Sequence, residues 1–183
     1  TPAVIPAHEA VKPRETAVIA EKRDVRELFD EALAHARAKS YPEALRQIEV
    51  IIAQDPAFIK VYLLKASVLA NLKELDNAEQ TCLQCIGHDA WCLEAYLLLG
   101  MLAKIRGDDG TALKRFKEAL YVQSSCWLAH FYIADIYRLQ GELNRAVREY
   151  QIVVTLIGKE HSRDHGLTFF PLSFPVEQIV HLC

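Results

Sequence analysis

The sequence predicts an all-α solenoid of four stacked helix-turn-helix units, with an extended first helix and a capping segment behind the last unit. Three observations carry this prediction. Ala44, Ala78, Ala112 and Ala146 recur at a spacing of 34 residues. Each stands in a similar phrase: YPEALRQIEVII, LDNAEQTCLQCI, DGTALKRFKEAL and LNRAVREYQIVV. The composition, 51% hydrophobic with seven Gly and seven Pro in 183 residues, suits a packed unit rather than a disordered or collagenous chain. A fixed period in this range is the mark of supersecondary units that bury their apolar faces only by stacking.

With the recurring Ala as the twentieth position, the units span residues 25–58, 59–92, 93–126 and 127–160. The fourth position then holds Leu28, Tyr62, Tyr96 and His130, and the eighth holds Ala32, Ala66, Gly100 and Ala134. Small residues at positions eight and twenty let the two helices of a unit approach closely. Ile48, Cys82, Phe116 and Tyr150 at position twenty-four supply the bulk beside that contact.

The ends differ from the middle. Residues 1–14 contain Pro2, Pro6 and Pro13 among small neighbours and read as a linker. From about Glu15 the pattern turns helical, which predicts an extended first helix and a repeat domain over residues 15–160. Residues 161–183 hold Phe169, Phe170 and Phe174 and close on a short helix with Val176, Ile179 and Val180 on one face. Such a tail suits a cap for the apolar side of a terminal unit.

Composition also excludes function classes. Lys and Arg number 21 against 24 Asp and Glu, a net charge of −3, so no basic field favours nucleic acid. No uncharged run reaches the ~18 to 20 apolar residues of a membrane span. Five cysteines, an odd number in a long helical chain, fit a reducing cytoplasm rather than a disulfide framework. The start TPAVIPAHEAVKPRE has no secretory order and no initiator Met, so a segment of a longer protein is expected.

No catalytic constellation emerges. There is no G-x-S-x-G, no phosphate-cradling glycine cluster and no strand-led dinucleotide motif; Gly107, Gly110 and Gly141 read as turn residues. Cys82, Cys85, His88 and Cys92 have donor types that zinc takes. The stronger reading is packing, because Cys82 and Cys85 occupy repeat positions that hold apolar residues in the other units. His161 and His165 read as exposed tail residues, and Asp108 and Asp109 as turn chemistry rather than paired catalytic carboxylates. No metal and no cofactor are expected in this segment.

What remains is the inner face of the stack. In paired-helix solenoids the first helix of each unit lines the concave side, here through positions two, five, nine and twelve. These slots nominate Phe29, Lys60, Leu63, Leu97, Met101, Lys104, Phe131, Asp135 and Arg138 as a partner-binding groove. Its apolar strip has two readings. Either a peptide or partner helix lies along it, with Lys60, Lys104 and Arg138 pairing its carboxylates, or the chain's own terminal segments fill it.

The register of these positions resembles the tetratricopeptide repeat over Val25 to Glu160, with Pro56 at the closing position of the first unit and Ala90, Ser124 and Gly158 in its place later. The resemblance implies a protein or peptide ligand. A chaperone-tail clamp of this family grips a terminal carboxylate with Lys and Asn at positions five and nine; here those slots hold Phe29 and Leu33, Leu63 and Ser67, or Leu97 and Met101.

The phrase AHFYIADIYRLQGELNRAVREYQIVVTLI, followed by DHGLTFFPLSFPVEQIVHLC, resembles the carboxy-terminal region of bacterial CheR-type chemoreceptor methyltransferases that carry these repeats, of the Wsp and Frz kind. That resemblance implies a parent enzyme that methylates receptor glutamates with S-adenosylmethionine, its catalytic domain lying upstream of Thr1. This segment would then dock a chemoreceptor cytoplasmic region or the parent's own methyltransferase domain. The alternative is a general repeat scaffold without an enzymatic parent.

Overall fold

A computed structural model describes residues 23–157. They form eight helices: α1 (Val25–Arg37), α2 (Tyr41–Gln54), α3 (Ile59–Asn71), α4 (Leu75–His88), α5 (Leu93–Ile105), α6 (Asp109–Val122), α7 (Trp127–Leu139) and α8 (Leu143–Ile157). There is no strand among the described residues. Contacts are densest within the pairs α1/α2, α3/α4, α5/α6 and α7/α8, and each second helix also packs on the next first helix. The result is a stack of four helix-turn-helix units.

The turn inside each unit is built the same way four times. Lys39, Lys73, Gly107 and Gly141, all at position fifteen, have φ of 61°, 67°, 78° and 78°. The next residue's N–H reaches back to a helix carbonyl: Ser40 to His35, Glu74 to Leu69, Asp108 to Ala103 and Glu142 to Tyr137. This left-handed closure satisfies carbonyls that a helix end would otherwise orphan. Gly110 lies inside the first turn of α6, not in a connecting turn as its sequence context suggests. Asp108 caps that helix by accepting from the Thr111 N–H at 2.9 Å.

The joints between units are also repeated. The carboxylates of Asp55 and Asp89 accept from the backbone N–H two residues on, at 3.1 and 2.9 Å. Residue four of the following unit then fastens the joint. The Tyr62 hydroxyl donates to the Pro56 carbonyl at 2.9 Å and the Tyr96 hydroxyl to the Ala90 carbonyl at 3.2 Å. His130 Nε2 meets the Ser124 carbonyl at 3.1 Å, while its Nδ1 lies 2.6 Å from Glu149. A histidine thus fills the aromatic slot by keeping the same bond, six residues back.

The first helices of the later units bury more than the second helices. Of their 13 residues, α5 and α7 each bury eight and α3 seven, whereas α2 and α6 bury three of 14; α1, the first helix of the stack, buries three of 13. A helix apolar on several faces belongs inside the stack, and a one-faced helix outside it. The outer side of α8 leaves Leu143, Val147 and Val154 exposed.

Asp24 has an extended backbone and its side chain accepts from the Arg26 N–H, so α1 starts at Val25. The linker of residues 1–14, the helical extension expected from about Glu15 and the tail of residues 161–183 lie outside the described residues.

Candidate functional site

The inner face divides into a buried floor and an accessible rim. Phe29, Leu63 and Leu97 stand at position five of successive units, yet their exposures are 8%, 3% and 0%. All three belong to the core, so the expectation of an open apolar strip through them is corrected. The physical reason is the seam between first helices. α1 touches α3 and α3 touches α5, so successive first helices close on one another. Phe29 also meets Phe58 edge to face, with ring centroids 5.3 Å apart.

The accessible part lies on α5 and α7. Met101 and Phe131 are half-buried against the core. Phe131 packs at steep angles on Tyr132 and Tyr150, with centroids at 5.7 and 6.1 Å. One turn along the same helix faces, Lys104 Nζ of α5 donates to Asp135 of α7 at 2.8 Å. Arg138 donates to the other carboxylate oxygen of Asp135 at 2.6 Å. Lys104 and Arg138 are therefore not two loose cations awaiting a partner, as the sequence pattern suggests. They share one carboxylate, and the three groups carry a net charge of +1.

The electrostatics of this trio follow from partial burial. Burial pushes the Asp135 carboxyl up, but hydrogen bonds from Lys104 and Arg138, with their charges, outweigh it and hold the group below its usual range. Arg138 is held above its usual range chiefly by its bond to Asp135. Lys60, one helix further back on α3, is exposed and has no ion pair among the described residues.

Cys82 and Cys85 are fully buried in the core, and no cluster of three or more His, Cys, Asp or Glu side chains able to hold a metal occurs among the described residues. His88 packs instead on the Tyr62 ring, with centroids 5.1 Å apart. Nor is any described helix long and apolar enough to cross a membrane.

One surface feature was not anticipated. Trp91, 65% exposed, and Tyr121, 83% exposed, stack at 6.5 Å with ring planes 15° apart. With Leu83, Ile86 and Val122 they line an open cleft of about 460 Å³. The clue was large aromatics in or beside inter-unit joints, where solvated residues are the norm.

Comparison with known proteins agrees with this architecture. The family model described as tetratricopeptide repeat matches residues 59–89. Hsp70-Hsp90 organizing protein 3 of Arabidopsis thaliana is 33% identical over 81 residues, which is 44% of this chain and 14% of that protein. The chain thus spans about one seventh of the length of the curated relatives it matches. Among solved structures, MamA superposes with a TM-score of 0.67 at 16% identity, covering 77% of this chain and 82% of the other. The tetratricopeptide domain of Arabidopsis OM64 gives 0.58 at 19% identity, covering 62% and 94%. The described residues thus share the solenoid fold of these structures, and one of the four units matches the tetratricopeptide-repeat model.

Proposed function

We propose that this solenoid is a protein-interaction module whose inner face, from Lys60 on α3 to Arg138 on α7, docks an acidic, partly apolar segment of another protein. One arrangement carries the reading: Met101 and Phe131 are half-buried beside the Lys104, Asp135 and Arg138 trio on neighbouring first helices. Apolar side chains supply contact area, and the surplus positive charge with Lys60 selects carboxylates. The likeness to an Hsp70-Hsp90 organizing protein supports an adaptor role. The side chains at positions five and nine do not support a grip on chaperone carboxy-termini, since Leu63 and Leu97 are buried where a Lys would be needed.

The test is affinity measurement against an array of acidic amphipathic peptides. Tight binders whose affinity drops with Arg138→Glu and rises with Asp135→Asn support the reading. Binding indifferent to both changes defeats this surface as the docking face.

A second reading rests on the sequence DHGLTFFPLSFPVEQIVHLC and its resemblance to CheR-type methyltransferases. Under it, the module positions a chemoreceptor glutamate O-methyltransferase, and S-adenosylmethionine binds a catalytic domain upstream of Thr1. A pull-down with chemoreceptor cytoplasmic fragments and with the methyltransferase domain separates the two, as does the coding sequence preceding Thr1. Upstream sequence lacking a methyltransferase domain leaves the adaptor reading standing.

A further inference from the structure

The joint between α4 and α5 brings two buried thiols together. Cys85 closes the buried face of α4, and Cys92 is the N-cap residue of α5. The Cys85 thiol donates to the Cys92 sulfur at 3.5 Å. A disulfide needs the two sulfurs at about 2.05 Å, a closure of about 1.5 Å that side-chain rotation supplies when the residues already face each other. We propose that Cys92 and Cys85 form an oxidant-responsive thiol pair, Cys92 reacting first with a hydroperoxide and Cys85 resolving the product to an intramolecular disulfide.

The two sulfurs are unequal. The hydrogen bond from Cys85 holds the Cys92 thiol below its ordinary range against burial, helped by the Ala95 N–H in the first turn of α5. Helix N-termini favour thiolates for this reason. Cys85 is pushed up by donating that bond and by burial. Burial also pushes Cys82 up to about 12 and Cys126 to about 11. Among the described cysteines, Cys92 is the one whose thiol is lowered and the one not wholly sealed, at 5% exposure against 0% for the other three. Glu94 at 3.8 Å and Asp89 oppose the thiolate without reversing the balance.

The chemistry closes without further cofactors. The Cys92 thiolate attacks one peroxide oxygen, the O–O bond breaks, and the departing oxygen takes a proton, leaving Cys92 as a sulfenic acid. The Cys85 sulfur then attacks the Cys92 sulfur. Hydroxide leaves, takes the Cys85 proton and departs as water. Both thiols are oxidised, and hydrogen peroxide is reduced to water. A small dithiol reverses the step by exchange. The bond would staple the end of α4 to the start of α5, across the joint that carries the exposed Trp91.

The experiment treats the intact protein with hydrogen peroxide, blocks remaining thiols with N-ethylmaleimide and maps peptides by mass spectrometry. The expected result is loss of labelling at Cys85 and Cys92 together, with a cross-linked peptide that dithiothreitol splits. Cys92→Ser should leave Cys85 reduced, and Cys85→Ala, which removes both the resolving sulfur and the hydrogen bond that lowers the Cys92 thiol, should give no cross-link and slower oxidation at Cys92. A wild-type protein that yields no Cys85–Cys92 link, whether by staying reduced, oxidising further at Cys92 or pairing other cysteines, overturns the proposal.

Discussion

A methyl group placed on Gly100 would sit 2.5 Å from Cε1 of Phe116, and within 2.8 Å of two more atoms of the same ring. The ring has no room to retreat: it is fully buried and stacks on Tyr132 at 4.9 Å, with planes 12° apart. Position eight of the third unit is therefore glycine because position twenty-four is phenylalanine. Gly100→Ala should destabilise the array by about 1 to 2 kcal/mol, since overpacking costs about 1 to 3 kcal/mol and better helix propensity returns up to ~1 kcal/mol. Denaturant midpoints check this. Adding Phe116→Leu should recover part of the loss, because the two sites are in contact and their effects do not add.

The small residue at position eight and the bulk at position twenty-four were legible in the sequence, as were the helices, because they depend on contacts inside one unit and repeat with it. What the period could not convey is geometry between units. Leu97 occupies a slot that reads as groove lining, but whether position five faces solvent depends on how closely first helices approach across the stack. The Lys104 and Asp135 bond joins residues 31 apart on different units, and neither residue type announces it. The Cys85 and Cys92 contact was hidden likewise, since a spacing of seven across a helix end has no fixed geometry.

The turn lysines show a third kind of concealment. Lys39 and Lys73 hold the left-handed conformation that Gly107 and Gly141 hold in the later units. A side chain there costs roughly 1 to 2 kcal/mol. Lys39→Gly and Lys73→Gly are each expected to raise the thermal midpoint, by about 0.5 to 1 kcal/mol of stability once the freer unfolded chain is counted. Gly107→Ala and Gly141→Ala should lower it by a similar amount. The added methyl meets nothing within 4 Å at either glycine, so any loss there reports backbone strain and not a clash.

Core and rim of the inner face respond to charge in opposite ways. Leu97 is fully buried, so Leu97→Glu strands a carboxylate in the core and should cost more than about 3 kcal/mol, visible as loss of helical circular dichroism at moderate temperature. Arg138 has an exposed side chain in a surface pair, so Arg138→Glu should leave the unfolding midpoint close to that of the wild type. If Arg138→Glu leaves the fold intact while abolishing capture of acidic peptides, the rim is the docking surface.

The trio on α5 and α7 also sets a pH dependence of known sign. Asp135 has its folded pKa depressed by Lys104 and Arg138 despite burial, so the folded state binds its proton less readily than the unfolded chain does. Its stabilising contribution is present above the unfolded carboxylate value of about 3.9 and is lost as pH falls through the lower folded value. Stability curves of wild type and Asp135→Asn, measured by urea denaturation from neutral pH to about 3, should therefore converge at the acid end. The gap at neutral pH reports the charged carboxylate, which bridges the third and fourth units through Lys104. Curves that stay parallel across the acid range would place the effect of the substitution in packing and remove Asp135 from the electrostatic account.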